Sequence, residues 1–214
     1  MSYKKEDGKM ADEQFELKKF FNAFINVLEN KHKDEKEFVD RFNNNPAMKS
    51  SRNRLPRTDL ILGDGNTRRS GVIYTALREY LGDKFTEPGF ERYIDVIVSD
   101  GNWWTGEQIH RIAIEVENNI DEFKGTLSDL LKHQALQKVG IFYQRGLPDR
   151  KKYNKDIVNM FLYFYKCQFR ECDETEYLII LGPDEIDKNS IGTWSSCHMT
   201  FTTAVKGRIE WSSN

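Results

Sequence analysis

His110-Arg111-Ile112-Ala113-Ile114-Glu115-Val116-Glu117 is followed by Asn118-Asn119 and, after Glu122, by Phe123, Leu127, Leu130 and Leu131. The first run alternates. Ile112, Ile114 and Val116 share one face, and Ala113, Glu115 and Glu117 share the other, which is the period of a strand. Asn119 with Glu122 makes a capping box. It predicts a helix running to about Lys138, with Phe123, Leu127, Leu130 and Leu131 inside. Val139-Gly140-Ile141-Phe142-Tyr143 then reads as a short apolar strand. Strand, helix and strand within about thirty residues form a βαβ unit, whose strands lie parallel through a right-handed crossover.

Upstream, Tyr93–Val98 is a second alternating run, with Ile94, Val96 and Val98 on one face and Tyr93, Asp95 and Ile97 on the other. Ser99–Gln108, which contains Trp103-Trp104, connects it to the His110 strand. Ser70–Leu81 carries Val72, Ile73, Ala76, Leu77, Tyr80 and Leu81 at helical spacing. Glu79 follows Val72 by seven residues, nearly two turns, and is expected to project to the same, inward side. An acid there calls for a reason. Residues 12–29 predict an amphipathic helix through Leu17, Phe20, Phe21, Phe24, Ile25 and Leu28. Asp34 with Glu37 caps another through Phe38, Val39 and Phe42, ended by Asn43-Asn44-Asn45-Pro46. Ala47–Thr67 is polar and basic and is expected to be a long surface loop, with a short strand at Leu60-Ile61-Leu62.

Downstream, Asp156–Phe169 predicts a largely apolar helix and Tyr177–Leu181 a buried strand. His198–Thr203 and Arg208–Trp211 predict edge strands or loops. The pattern specifies an α/β fold with a mixed central sheet flanked by helices. One domain is expected over 1–214, with a helical segment at 1–46, the core at 70–182 and C-terminal strands or loops at 183–214.

Composition agrees with a folded chain. Of 214 residues, 38% are hydrophobic and 13% aromatic, enough for a core despite 31% charged residues. No apolar run approaches the roughly 18 residues of a membrane span, and the N-terminus leads into no secretory apolar region. The three cysteines, Cys167, Cys172 and Cys197, have no CxxC spacing, so a reduced, cytoplasmic protein is expected. The net charge of -2 excludes a global field toward nucleic acid, but the charge is uneven. Residues 49–69 carry six Lys/Arg against two Asp, among them Arg52, Arg54 and Arg57. Residues 145–155 carry five, including Arg150, Lys151 and Lys152. Such asymmetry is open to two explanations, a basic groove on an acidic body or ordinary solvated surface.

The chemistry candidates are Glu79, Asp95, Glu115 and Glu117. Residues two apart on a strand project to one side about 7 Å apart, so Glu115 and Glu117 converge. If the Tyr93 and His110 strands pair as a hairpin, Asp95 joins them. Carboxylates this close repel unless protonated or neutralised by cations. A hard cation such as Mg²⁺ takes a few carboxylates plus waters and substrate phosphates. With 34 acids in the chain, an Asp followed by Glu-x-Glu also arises by chance.

The order Ile94-Asp95-Val96-Ile97-Val98, Ile114-Glu115-Val116-Glu117-Asn118, helix, Val139–Tyr143 resembles the core of the PD-(D/E)XK nuclease superfamily. It is similar to the Glu-x-Glu variant of BamHI-type restriction endonucleases, with Arg78-Glu79 preceding at a similar interval. The resemblance covers about Val72 to Tyr143, a third of the chain. It implies a Mg²⁺-dependent DNA endonuclease, with Mn²⁺ as substitute, acting as a homodimer. Asp95 and Glu115 would be the principal metal ligands and Glu79 a further ligand. Glu117 would stand where the family carries Lys, orienting or deprotonating the attacking water. Arg52, Arg54, Arg57, Arg150, Lys151 and Lys152 would contact phosphates. The missing Lys leaves three outcomes: a second metal ion, a Lys124 or Lys132 that has taken over the role, or a decayed site in a protein that only binds nucleic acid. Metal-dependent chemistry on another substrate is a further alternative.

Weaker signals point elsewhere. Trp103-Trp104 could stack on bases, though such a pair more often caps a sheet. The resemblance implies that Gln134 could contact a phosphate, though a surface Gln is the commoner case. His110 and His133 are expected to be structural. Cys197-His198 alone does not make a zinc site.

Overall fold

The computed structural model describes residues 16–43, 56–63, 68–91, 94–100, 109–118, 123–143, 155–156, 159–160, 163, 175–202 and 205–213. The elements are α1 (Glu16–Asp34), α2 (Phe38–Asn43), α3 (Pro56–Leu62), α4 (Val72–Leu81), β1 (Gly89–Glu91), β2 (Ile94–Asp100), β3 (Ile109–Glu117), α5 (Phe123–Lys132), β4 (Gln137–Tyr143), β5 (Glu176–Gly182), β6 (Ser195–Thr202) and β7 (Val205–Ser213). The strands form one seven-stranded sheet in the order β1-β2-β3-β4-β5-β6-β7. The pairs β3–β4 and β4–β5 are parallel and the other four antiparallel, so the sheet is mixed and the fold α/β.

The parallel β3–β4 pair, joined through α5, is the expected βαβ unit. The helix is shorter than its periodicity suggested. It ends at Lys132, and Lys138 lies within β4, buried, its Nζ donating 3.1 Å to Leu131 O. Strand pairing takes over there because Gln137–Tyr143 lies fully between two neighbours.

The two sheet faces carry separate cores. Val96, Val98, Ile112, Ile114, Val139, Ile141, Leu178 and Ile180 pack beneath α1, α2, α3 and α4. Phe123, Leu127 and Leu131 of α5 cover Phe142, Tyr177, Ile179, Leu181, Cys197 and Met199, and Leu130 covers Ile97 and Ala113. At roughly 1.5–3 kcal/mol for each fully buried large apolar side chain, these two layers dominate stability. α1 begins where Glu176 Oε1 accepts from Leu17 N at 2.9 Å, so a carboxyl on β5 satisfies a helix-start N–H that α1 itself cannot.

The 47–67 region departs from expectation. Pro56–Leu62 is α3, with Leu60, Ile61 and Leu62 buried, and not a surface loop with a strand. Gly63 closes it so tightly against the start of α4 that a Cβ on Gly71 would lie 2.4 Å from Gly63 N. At the other end of the chain, β6 is an inner strand and β7 the edge. Of the expected 156–169 helix, 156, 159–160 and 163 are helical, and the remaining positions lie outside the described residues.

Candidate functional site

The β2–β3 pairing is the antiparallel one the site requires. Val96 pairs with Ile114, which sets Asp95 beside Glu115 one step further along. Both side chains lie on the α5 face with Ile97 and Ala113. Asp95 Oδ2 accepts a hydrogen bond from Val116 N at 3.0 Å. Glu115 is bonded to Asp95, and its carboxyl is held well above the ordinary range. Burial is the largest cause, followed by the charge of Asp95, the bond to Asp95, and the charges of Asp129 and Glu117. The Glu115 carboxyl is therefore protonated at neutral pH. On the other flank Glu115 is level with Gly140 of β4. The Phe142 ring fills that gap, since a Cβ on Gly140 would lie 2.6 Å from Phe142 Cε2.

Glu117 sits at the end of β3 and accepts from Thr126 Oγ1 of α5 at 2.9 Å. Beyond it, Asn118 Nδ2 donates to Thr58 Oγ1, tying the end of the strand to α3. Thr126 and Asp129 were not singled out from sequence. The signal was their position: Thr126, Asp129 and His133 stand at i, i+3 and i+7, one helical row beside the Leu127–Leu130–Leu131 stripe. Thr126 meets Glu117, Asp129 faces Glu115, and His133 Nε2 lies 2.8 Å from His110 Nδ1.

Other expected members lie elsewhere. Glu79 is exposed, and α4 packs on the sheet face opposite Asp95 and Glu115, so the inward placement expected of it is corrected. Arg57 is corrected from a phosphate contact to a core residue. It is 1% exposed, with its guanidinium between the rings of Phe42 (4.5 Å) and Tyr143 (4.7 Å), donating to Phe42 O and Asp184 O. Lys124 and Gln134 are exposed, and Lys132 Nζ is 3.8 Å from Asp129. Cys197 belongs to the α5-face core while buried His198 is engaged by Ser196 at 3.3 Å. Arg52, Arg54, Arg150, Lys151, Lys152, Trp103, Trp104, Asn119 and Glu122 lie outside the described residues.

The donor chemistry fits a hard divalent cation. Asp95 and Glu115 set two carboxyl groups side by side, and a bound cation would relieve their mutual repulsion. Among the described residues, no group of three or more His, Cys, Asp or Glu is arranged to hold a metal ion. The two-carboxyl set leaves further positions to water and phosphate oxygens, as Mg²⁺ commonly does. Among the described residues no helix is long and apolar enough to cross a membrane. No family model, curated protein or solved structure matches the chain.

Proposed function

We propose that the protein is a Mg²⁺-dependent endonuclease hydrolysing phosphodiester bonds in DNA, of the type II restriction kind. One observation carries this reading: the carboxyls of Asp95 and Glu115, from separate strands, meet in a hydrogen-bonded pair, with Glu117 next on the same strand face. This supports the family resemblance of the β2–β3–α5–β4 segment. Asp95 and Glu115 would hold the Mg²⁺, with Mn²⁺ as substitute. Bound there, the ion would stabilise charge developing on a phosphate and lower the pKa of a water. The Val116 N–H donates to Asp95 Oδ2 and holds that carboxyl in place beside Glu115. With a cation held there, Glu115 would be ionised, its proton passing to solvent. Glu117, steadied by Thr126, is the carboxylate that accepts a proton from the attacking water. On this reading the enzyme works in the cytoplasm as a homodimer, and buried Cys197 remains a thiol.

A binding-only protein is the second reading. It is favoured by Glu117 in the family's Lys position and by Lys132 being engaged with Asp129. Incubating plasmid and oligonucleotides with the protein and Mg²⁺, Mn²⁺ or EDTA decides between them. The enzyme nicks with Mg²⁺ or Mn²⁺, and Glu115→Gln abolishes nicking with the fold intact. Binding of DNA without cleavage under any metal would leave the second reading standing.

A further inference from the structure

We propose that the groove between α4 and the segment leading into β1 binds a nucleotide unit, at a site separate from the Asp95–Glu115 pair. The groove is a cavity of about 410 Å³ lined by Arg69, Tyr74, Arg78, Phe85 and Glu87. That volume is in the range of small-molecule sites. Tyr74 and Arg78 stand one turn apart on α4. The Phe85 ring lies 5.2 Å from Tyr74 at 79°, an edge-to-face pair that leaves the two rings as a fixed aromatic wall. Glu87 Oε1 accepts from Tyr74 Oη at 3.1 Å and pairs with Arg69 Nη2 at 2.8 Å.

These contacts divide the charges. Arg69 neutralises Glu87, whereas the Arg78 guanidinium makes no hydrogen bond or ion pair with another described residue. Two guanidiniums against one carboxylate leave the lining with one positive charge, carried by Arg78. The groove therefore offers three things together: a cation for one phosphate, an aromatic wall for a base, and a carboxylate acceptor for an amino group. An inorganic anion would use the first only, and a neutral ring the second only. A nucleotide with an amino-bearing base uses all three. α4 packs on the face opposite Asp95 and Glu115, so the site does not draw on the carboxyl pair or on a divalent cation. The unit can come from a free nucleotide or from a nucleic-acid strand.

The test is calorimetric titration of the full chain in EDTA, which removes any contribution of the proposed metal. The probes are AMP, adenosine, inorganic phosphate, a phosphotyrosine peptide and a short single-stranded oligonucleotide. AMP is expected to bind at least about tenfold more tightly than adenosine or phosphate. Arg78→Glu and Phe85→Leu, the first at an exposed position and the second retaining bulk, are each expected to weaken AMP about tenfold. Lys124→Glu on α5 is expected to change nothing. A gain for the oligonucleotide over AMP identifies a strand as the source, and equal or weaker binding identifies a free nucleotide. The proposal is overturned if no nucleotide or strand binds, if phosphate alone or the phosphopeptide binds as well as AMP, or if the two groove variants bind AMP like wild type. Nuclease activity is read separately, so its loss or absence does not bear on this outcome.

Discussion

Thr126 Oγ1 on α5 donates to Glu117 Oε2 on β3 at 2.9 Å, so the last acid of the strand is held by the helix that follows it. The same helix row brings Asp129 toward Glu115 and His133 to His110. α5 thus reads down β3 in reverse, and the polar half of the βαβ unit is one connected surface.

Thr126→Val keeps the side-chain shape and deletes the donor. It is expected to cost about 1 kcal/mol, a fall in melting temperature of about 2–4 °C for a chain of this size. Thr126→Ser is expected to recover most of it. Thermal denaturation of the three proteins checks this. A Val variant as stable as wild type would show that the bond contributes nothing.

Divalent cations should stabilise the native state through Asp95 and Glu115. At a concentration about 100 times Kd, Mg²⁺ or Mn²⁺ is expected to add about 2.7 kcal/mol, raising the melting temperature by several degrees. Asp95→Asn and Glu115→Gln are expected to lose that response. Melting curves with and without EDTA measure it, and an equal shift in wild type and variants removes the pair as the binding site.

Arg57 is expected to be needed for folding and not for contact with nucleic acid. Arg57→Met retains a flexible apolar stem but leaves Phe42 O and Asp184 O without their donor. Each lost buried partner costs about 1–3 kcal/mol, so the total is expected to be at least about 2 kcal/mol. Urea unfolding gives the number. A variant that unfolds like wild type but binds DNA poorly would return Arg57 to the surface role.

Glu176 gives a pH dependence with a definite sign. Burial raises its carboxyl pKa, and the bonds from Leu17 N and Gln137 only partly oppose this. A folded pKa above the unfolded one means that its stabilising contribution is complete below the unfolded value, near about 4.3, and declines as pH rises through the folded value. Glu176→Gln removes that decline. The melting temperature of the variant relative to wild type is therefore expected to be higher at pH 7 than at pH 4. A relative value that falls over that interval would reverse the assigned sign.

Local pattern was enough for most of the sheet. Val96 and Val98, Ile112 and Ile114, Val139–Tyr143 and Tyr177–Leu181 carry the alternation or the continuous apolar run that strands require, and β2, β3, β4 and β5 contain them. The Asp95–Glu115 meeting followed from the period of two once the strands were antiparallel neighbours. Glu79 did not follow, because Val72 lies at the margin of the α4 stripe. The centre of that stripe falls between Ile73 and Ala76, about a quarter turn from Glu79 at 100° per residue.

Sequence by itself determined which segments are strands, which are amphipathic helices, and that three acids share one strand face or its neighbour, because these depend on spacing along a few residues. Tertiary structure alone decided which groups far apart in the chain meet. Arg57 reads as one more basic residue in a polar stretch until Phe42 and Tyr143 close over it, and Asp184, whose carbonyl accepts from it, lies 127 positions beyond. Asp129 reads as a helix-surface acid until β3 brings Glu115 beneath it. Burial and charge depend on distance in space, and only the packed sheet and helices set those distances.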